Sequence, residues 1–585
     1  MSYDVKWYEM GDYKRRSLTS ASWIPLRAYD DSKKRGRYGY LGYLSDYFAA
    51  VAILLPGEES KKALSLEWAD VCLTSHFGPY LEDNKYFPAG TYRSHRSNLL
   101  GTFPVLSQSF DSGEPRTWHL NQDIVLGLGL HREKDVWVRP EEDYIEVARI
   151  LGPADGNPLR FEIRTDHMRD FLRAAGCGLL VATYRCREAI VESAPDFGWE
   201  HGVATEAGEH YRWEGRIYAI HEGGMPYGEK TAVLHVGRTN IDPEEDLPGY
   251  GLPGEDEYES KSWEQGDKGR KLYRVSGEMW RNEWIEPASH SPRVRGDDLE
   301  SQVRFMVDNS GAVLAGTGLQ HHRGWLWFKP SVVISLLKKR KGCLEWYTEN
   351  TGEIGPAPHC TVHFGVNDLR LINVLAGDIA LLPEIYQKVW VAHNCPPDGG
   401  VSRELLESQM EAKPADTVAP EALLGRALTR LQKASAHFLG RSILKEHQEA
   451  ERIQRRIHRF QGDSMEGIRF LCKELTRLIS ERIDVRLLQE QDPAADKKLR
   501  PIKRLDHFLT SKGFDGRRIT ASLVGANELR IGDAHLPSEE ICDSLSLLGV
   551  RQTGDYQQMA KEAIHSVAVS VQATTAVIIK TGRDA

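Results

Sequence analysis

The stretch SQMEAKPADTVAPEALL, Ser408 to Leu424, decides how the chain divides, because the residues on its two sides differ in kind. All 14 tryptophans lie before it, from Trp7 to Trp390, and of 27 prolines only Pro493, Pro501 and Pro537 fall after residue 420. A polar, proline-bearing run at such a step reads as a linker. Charge changes at the same place. Residues 421–585 carry 27 Lys and Arg against 22 Asp and Glu, and the first 420 carry 48 against 62, so a body of net −14 precedes a tail of net +5. The overall −9 argues against bulk nucleic-acid binding, while the split leaves room for a local basic surface.

Beyond the linker, ALLGRALTRLQKASAHFLGRSILKEHQEAERIQRRIHRF (422–460) repeats its apolar residues every three or four positions, with Arg and Lys between them, as a helix does. DSME from Asp463 has the form of a capping box, Asp463 accepting from the first turn and Glu466 reaching back. The same period continues to Ile579, so residues 423–585 are expected to form an all-α bundle.

Before the linker the pattern is α+β. IYAIHEGGMPYGEKTAVLHVG (217–237) and YIEVARILGPADGNPLRFEIR (144–164) each read as two strands about a turn. LRFEIRTDHMRDFLRAAGCGLLVATYR (159–185) and WLWFKPSVVISLLKKRKGCLEWYTEN (325–350) both read strand, helix, Gly-Cys, strand, 166 residues apart; duplication and coincidence both explain that. The breaker-rich acidic stretch from Ile241 reads as a surface loop. The expected organisation is 1–240 and 271–410 as two halves of an α+β body around an acidic loop at 241–270, a linker at 411–422 and the bundle at 423–585.

Several chemistries lack support. GGMPYGEKT from Gly223 places Glu229 where a phosphate loop needs its lysine, and a strand follows where a helix is required. GLGLHRE from Gly127 lacks a third glycine, and there is no G-x-S-x-G and no H-E-x-x-H. His359, Cys360 and His363 read as strand side chains rather than a zinc site, and Asp368 and Asp378 as turn and cap residues rather than metal ligands. The eight cysteines form no C-x-x-C, as in a reduced, cytoplasmic protein, and no run has the roughly 20 apolar residues of a membrane span.

One cluster in the tail has chemistry of its own. NELRIGDAHLPS (527–538) brings Asn527, Arg530, Asp533 and His535 to a helix end that Pro537 enforces. Five helical residues turn about 500°, so Arg530 and His535 share one face only where the last turn frays. An arginine can hold a phosphate and a histidine can move a proton near neutral pH, which suits RNA cleavage. The other reading is a surface Arg530–Asp533 ion pair beside a histidine that the helix dipole favours.

Arg, four residues and His near a helix end of a helical bundle resembles the HEPN superfamily, over residues 421–585 at most. Many HEPN proteins are metal-independent ribonucleases of bacterial defence and toxin systems. The resemblance implies Arg530 and His535 as catalytic residues with Asn527 and Asp533 in support, no cofactor, an RNA substrate and a homodimer. The resemblance says nothing about the first 420 residues; the expected whole is a regulated abortive-infection effector whose N-terminal body senses a protein or phage trigger, with no membrane partner. Ile531 stands where the family often has Asn, Asp or His. The alternative is a non-catalytic HEPN-like dimerisation or scaffold protein, or a nucleic-acid-binding subunit of a larger defence complex acting through the basic helices around Arg452 to Arg459.

Overall fold

Two long strands organise the first part of the chain. LSDYFAAVAILLP and CGLLVATYRCREAIV are apolar at successive positions, so they suit a sheet covered on both faces. In chain order the elements are β1 (Trp23–Lys34), β2 (Leu44–Pro56), β3 (Ile145–Leu151), β4 (Arg160–Arg164), α1 (Thr165–Ala175), β5 (Cys177–Val191), β6 (Tyr211–His221), β7 (Lys230–Arg238), β8 (Tyr258–Gly266) and β9 (Lys271–Ile285). A 12-stranded sheet runs Val203–Ala207, β6, β9, β5, β2, β1, β4, β3, Val136–Arg139, His131–Glu133, with Thr91–Ser94 and Leu99–Thr102 beside β2. On one face Ala52, Leu179 and Val181 meet Met168, Phe171 and Leu172 of α1. On the other, Val51, Ile53, Leu180 and Ala182 meet Ala63, Leu66 and Val71. Gly176 ends α1 with φ +68, a conformation that glycine adopts without strain.

This computed structural model describes the whole chain except residues 1–3, 35–41, 72–77, 95–96, 110–113, 154–155, 222–229, 240–256, 267–270, 298–300, 414, 497, 532–537 and 584–585. It divides into two compact units, Met1–Leu299 and Glu300–Ala585. The boundary therefore falls at 299/300, away from the compositional step at 411–422.

Pairing corrects three expectations in the first unit. The 144–164 hairpin forms, β3 against β4. The 217–237 hairpin does not: β6 pairs with β9 and β7 pairs with β8. Because β8 lies within 241–270, that segment is not loop throughout, and β9 belongs to the first unit's sheet rather than to a second half beginning at 271.

After a short strand pair, Phe305–Met306 with Val313–Leu314, and the helix Gly316–Gln320, the second unit continues with β10 (Trp325–Phe328), α2 (Ser331–Leu337), β11 (Cys343–Trp346), β12 (Thr351–Gly355), β13 (Val362–Val366) and β14 (Ile372–Leu375). Their six-stranded sheet runs β11, β12, β13, β14, β10, Asn394–Cys395. Both strand–helix–strand segments are present, but their wiring differs. Three antiparallel steps separate β4 from β5, so those strands oppose one another; four separate β10 from β11, so those run parallel. A duplicated unit would keep that relation, and coincidence explains the two Gly-Cys pairs better.

Helices follow: α3 (Pro420–Leu439), α4 (Ala450–Arg456), α5 (Met465–Leu478), α6 (Val485–Gln491), α7 (Pro501–Ser511), α8 (Gly516–Ile531), α9 (Ser538–Leu548) and α10 (Tyr556–Arg583). An α+β body precedes a mostly helical region, as the patterning predicts. The cap of α5 is Ser464, whose hydroxyl accepts from the Gly467 amide at 3.1 Å, while Asp463 accepts from that hydroxyl. Among the described residues α10 alone is long and apolar enough to cross a membrane, which the apolar-run count missed because small and polar residues interrupt it. Its Met559, Ile564, Val567, Val571 and Ile578 lie in the helical core, the pattern of a buried core helix.

Sheet and helices of this unit share a seam. Phe460 lies in the core of the six-stranded sheet. The rings of Trp346 and Phe460 stack with centroids 5.9 Å apart, and the Arg459 guanidinium sits 4.2 Å above Trp346. Arg459 also donates twice to Glu421, at 2.9 and 2.8 Å, both side chains buried.

Candidate nucleic-acid interface

Arg530 ends α8 and is half-buried, its side chain 29% exposed. It pairs with Glu481, 51% exposed, in the single turn Ser480–Arg482 that follows α5. Asn527, one turn earlier on α8, is also half-buried. Asp533 and His535 lie outside the described residues, so of the four predicted site residues Arg530 and Asn527 alone are located, on one helix. The pairing of Arg530 with Glu481 was not legible in sequence, since the two are 49 positions apart.

A larger feature of the second unit is a cleft of about 1020 Å³ between α2 with its trailing turn and α4 with the start of α5. Six of its lining residues are basic, Lys338, Lys339, Arg340, Arg452, Arg455 and Arg456, and one, Asp463, is acidic. Helical spacing explains one wall. Arg452, Arg455 and Arg456 fall at i, i+3 and i+4, while Ile453 of α4 and Ile457 just after it turn into the helical core. The other wall takes Lys338, Lys339 and Arg340 from the KKRK run at 338–341. Helical period alone does not mark this run as a site; its four consecutive cations are the signal that could have done so.

Charge on the α4 wall is partly compensated. Arg452 pairs with Glu449 at 3.0 Å, and Arg456 lies 3.8 Å from Glu474, which Arg477 also holds at 2.9 Å. Arg455 has no ion-pair partner among the described residues. Phe470, 38% exposed, lines the same cleft.

A neighbouring cavity of about 630 Å³, lined by Glu345, Trp346, Glu421 and Arg426, shares Arg455 and His458 with the cleft. Burial pushes His458 down to about 4, with Glu421 opposing and Arg459 adding to the shift, so its imidazole is neutral near pH 7 and adds no charge. Its Nδ1 is buried without a hydrogen-bond partner.

The remaining candidates have ordinary roles. Among the described residues no group of three or more His, Cys, Asp and Glu is arranged to hold a metal. Cys360 is buried, and His363 instead meets Glu353 and Gln409. Asp378 lies in the first turn of a short helix, Ala376–Ala380, where burial raises its carboxyl. Trp284 lies in a core of the first unit and Trp346 packs against the core of the six-stranded sheet.

No family model matches the chain, and no curated protein or solved structure is detectably similar to it.

Proposed function

We propose that the chain is an RNA-cleaving protein of HEPN type, cytoplasmic and dimeric, in which Arg530 holds the scissile phosphate and His535 moves the proton. The observation that carries this reading is Arg530 itself: a half-exposed guanidinium at a helix end, paired among the described residues with an exposed carboxylate that a phosphate can displace. In the reaction the 2′-oxygen attacks the adjacent phosphorus as its proton leaves. The bond to the 5′-oxygen breaks as that oxygen is protonated, giving a cyclic phosphate and a 5′-hydroxyl. Histidine is suited to the proton transfers and arginine to the charge that builds on phosphate. The body at residues 1–299 is the sensor in this reading, and an abortive-infection effector its biological setting.

The test is cleavage of labelled RNA by the full chain in EDTA, beside Arg530→Ala and His535→Ala. Activity lost in both variants supports the assignment; equal activity in all three overturns it. A second reading, RNA binding without cleavage, is favoured by the basic cleft, and binding by a wild-type chain that leaves RNA intact would establish it.

A further inference from the structure

We infer that the cleft between α2 and α4 is the binding track for single-stranded RNA, and that the strand leaves it along α5 toward Arg530. The inference rests on the proposed function for the identity of the polymer; the surface itself stands on geometry.

Three observations converge. First, the cleft gathers six cations and one carboxylate in a chain of net −9, a local excess of positive charge that attracts a polyanion. Secondly, Phe470 presents an exposed ring among those cations, and a basic groove with an aromatic platform is how single strands are held: cations follow the backbone while a base stacks. A flat basic patch would suit a membrane surface, and a duplex does not enter a cleft of about 1020 Å³. Thirdly, α5 and the turn that follows it lead from the cleft to the partner of Arg530. From Phe470 to Arg477 is seven residues of α5, which at about 100° each returns to within about 20° of the starting face, and Glu481, the partner of Arg530, lies in the turn Ser480–Arg482 just beyond the helix end. The axial distance from Phe470 to Arg477 is about 10 Å, roughly three nucleotides at about 3.4 Å per stacked nucleotide.

The experiment uses the full chain carrying His535→Ala, so that RNA stays intact, and a fluorescein-labelled 12-nucleotide oligouridylate. Anisotropy is followed from 50 to 300 mM KCl. Adding Arg452→Ala, Arg455→Ala and Arg456→Ala should weaken binding at least tenfold at 100 mM salt. It should also flatten the plot of log affinity against log salt by about 0.7 for each phosphate that is no longer neutralised. Phe470→Ala should weaken binding while leaving that slope unchanged, since it removes stacking and no charge. Arg452 is 66% exposed, so a melting temperature within a degree or two of the parent is expected; Lys338→Ala with Lys339→Ala tests the opposite wall independently.

Unchanged affinity and slope in both wall variants would overturn the proposal, as would tight binding to vesicles containing phosphatidylserine by a chain that ignores the oligonucleotide. Cleft-dependent binding by a wild type that never cleaves would remove the ribonuclease reading and leave this one. Cleavage with cleft-independent binding would do the reverse.

Discussion

Glu421 and Arg459 form the most consequential single contact of the second unit. Burial alone would raise the Glu421 carboxyl, but the charge and hydrogen bonds of Arg459 hold it below its ordinary value. Removing one member of a buried pair leaves the other charged and without compensation, at a cost of about 3–5 kcal/mol. Glu421→Ala should therefore lose about that much stability in urea unfolding, while a joint apolar replacement of both residues should cost far less. In the first unit, Glu142 accepts from His167 at 3.2 Å and from Arg293 at 2.6 Å. Burial would raise Glu142, but the hydrogen bonds and charges of His167 and Arg293 bring it to about 2; Asp166 is brought to about 2 chiefly by its hydrogen bond from His167. His167 is raised, its carboxylate partners outweighing burial. The signs follow. The carboxylates stabilise the fold above their unfolded values, about 3.9–4.3, and lose that contribution as pH falls toward 2. His167 contributes below its unfolded value, about 6.5, and loses this as pH rises through its raised value. The urea midpoint of the first unit should therefore fall between pH 4.5 and 2, and Glu142→Gln should flatten that decline.

Helices were legible as elements because their period is local: α1, α2 and α10 all fall where apolar spacing puts them, whereas the period that runs on from α5 into α6 is broken by the turn Ser480–Arg482. Strand partners were not. β6 and β7 each alternate and flank a Gly/Pro-rich run, the signature of a hairpin, yet each finds its partner in a strand beyond residue 257. Pairing depends on which edges meet after collapse, and neither strand records this. The cap of α5 shows the same limit at smaller size, since Asp463 and Ser464 both suit the position and the fold uses Ser464. Gly277 on β9 is another contact that local pattern could not reveal. A Cβ there would run into the Tyr8 carbonyl oxygen, to which Trp213 also donates at 2.8 Å, so the N-terminal helix Val5–Glu9 rests on this strand through a missing side chain. Gly277→Val should cost about 1–3 kcal/mol in unfolding and detach that helix, seen as faster amide exchange over residues 5–9.

Composition divides the chain at 411–422 and folding divides it at 299/300, and both divisions are real. The tryptophan and proline count records which residues build sheets and turns. It carries no information on whether a sheet and a bundle share a core, which Phe460, Trp346 and Arg459 decide by side-chain packing across more than 100 residues of sequence. Of the candidate site, the basic spacing of α4 was readable, whereas the opposite wall and the Glu481 partner come from distant segments. A fragment of residues 300–585 should melt in one cooperative transition by circular dichroism. Residues 423–585 alone lack Glu421 and the sheet that covers Phe460, and should melt at least 10 °C lower or aggregate; equal melting of the two would show the seam to be unimportant.

That seam sets the aperture of the basic cleft. One jaw, α2, is carried by the sheet, the other, α4, by the bundle, and the buried pair of Glu421 with Arg459 over Trp346 ties sheet to bundle beside the cleft. Loosening that pair would change how far the jaws stand apart without removing a single cation that lines them.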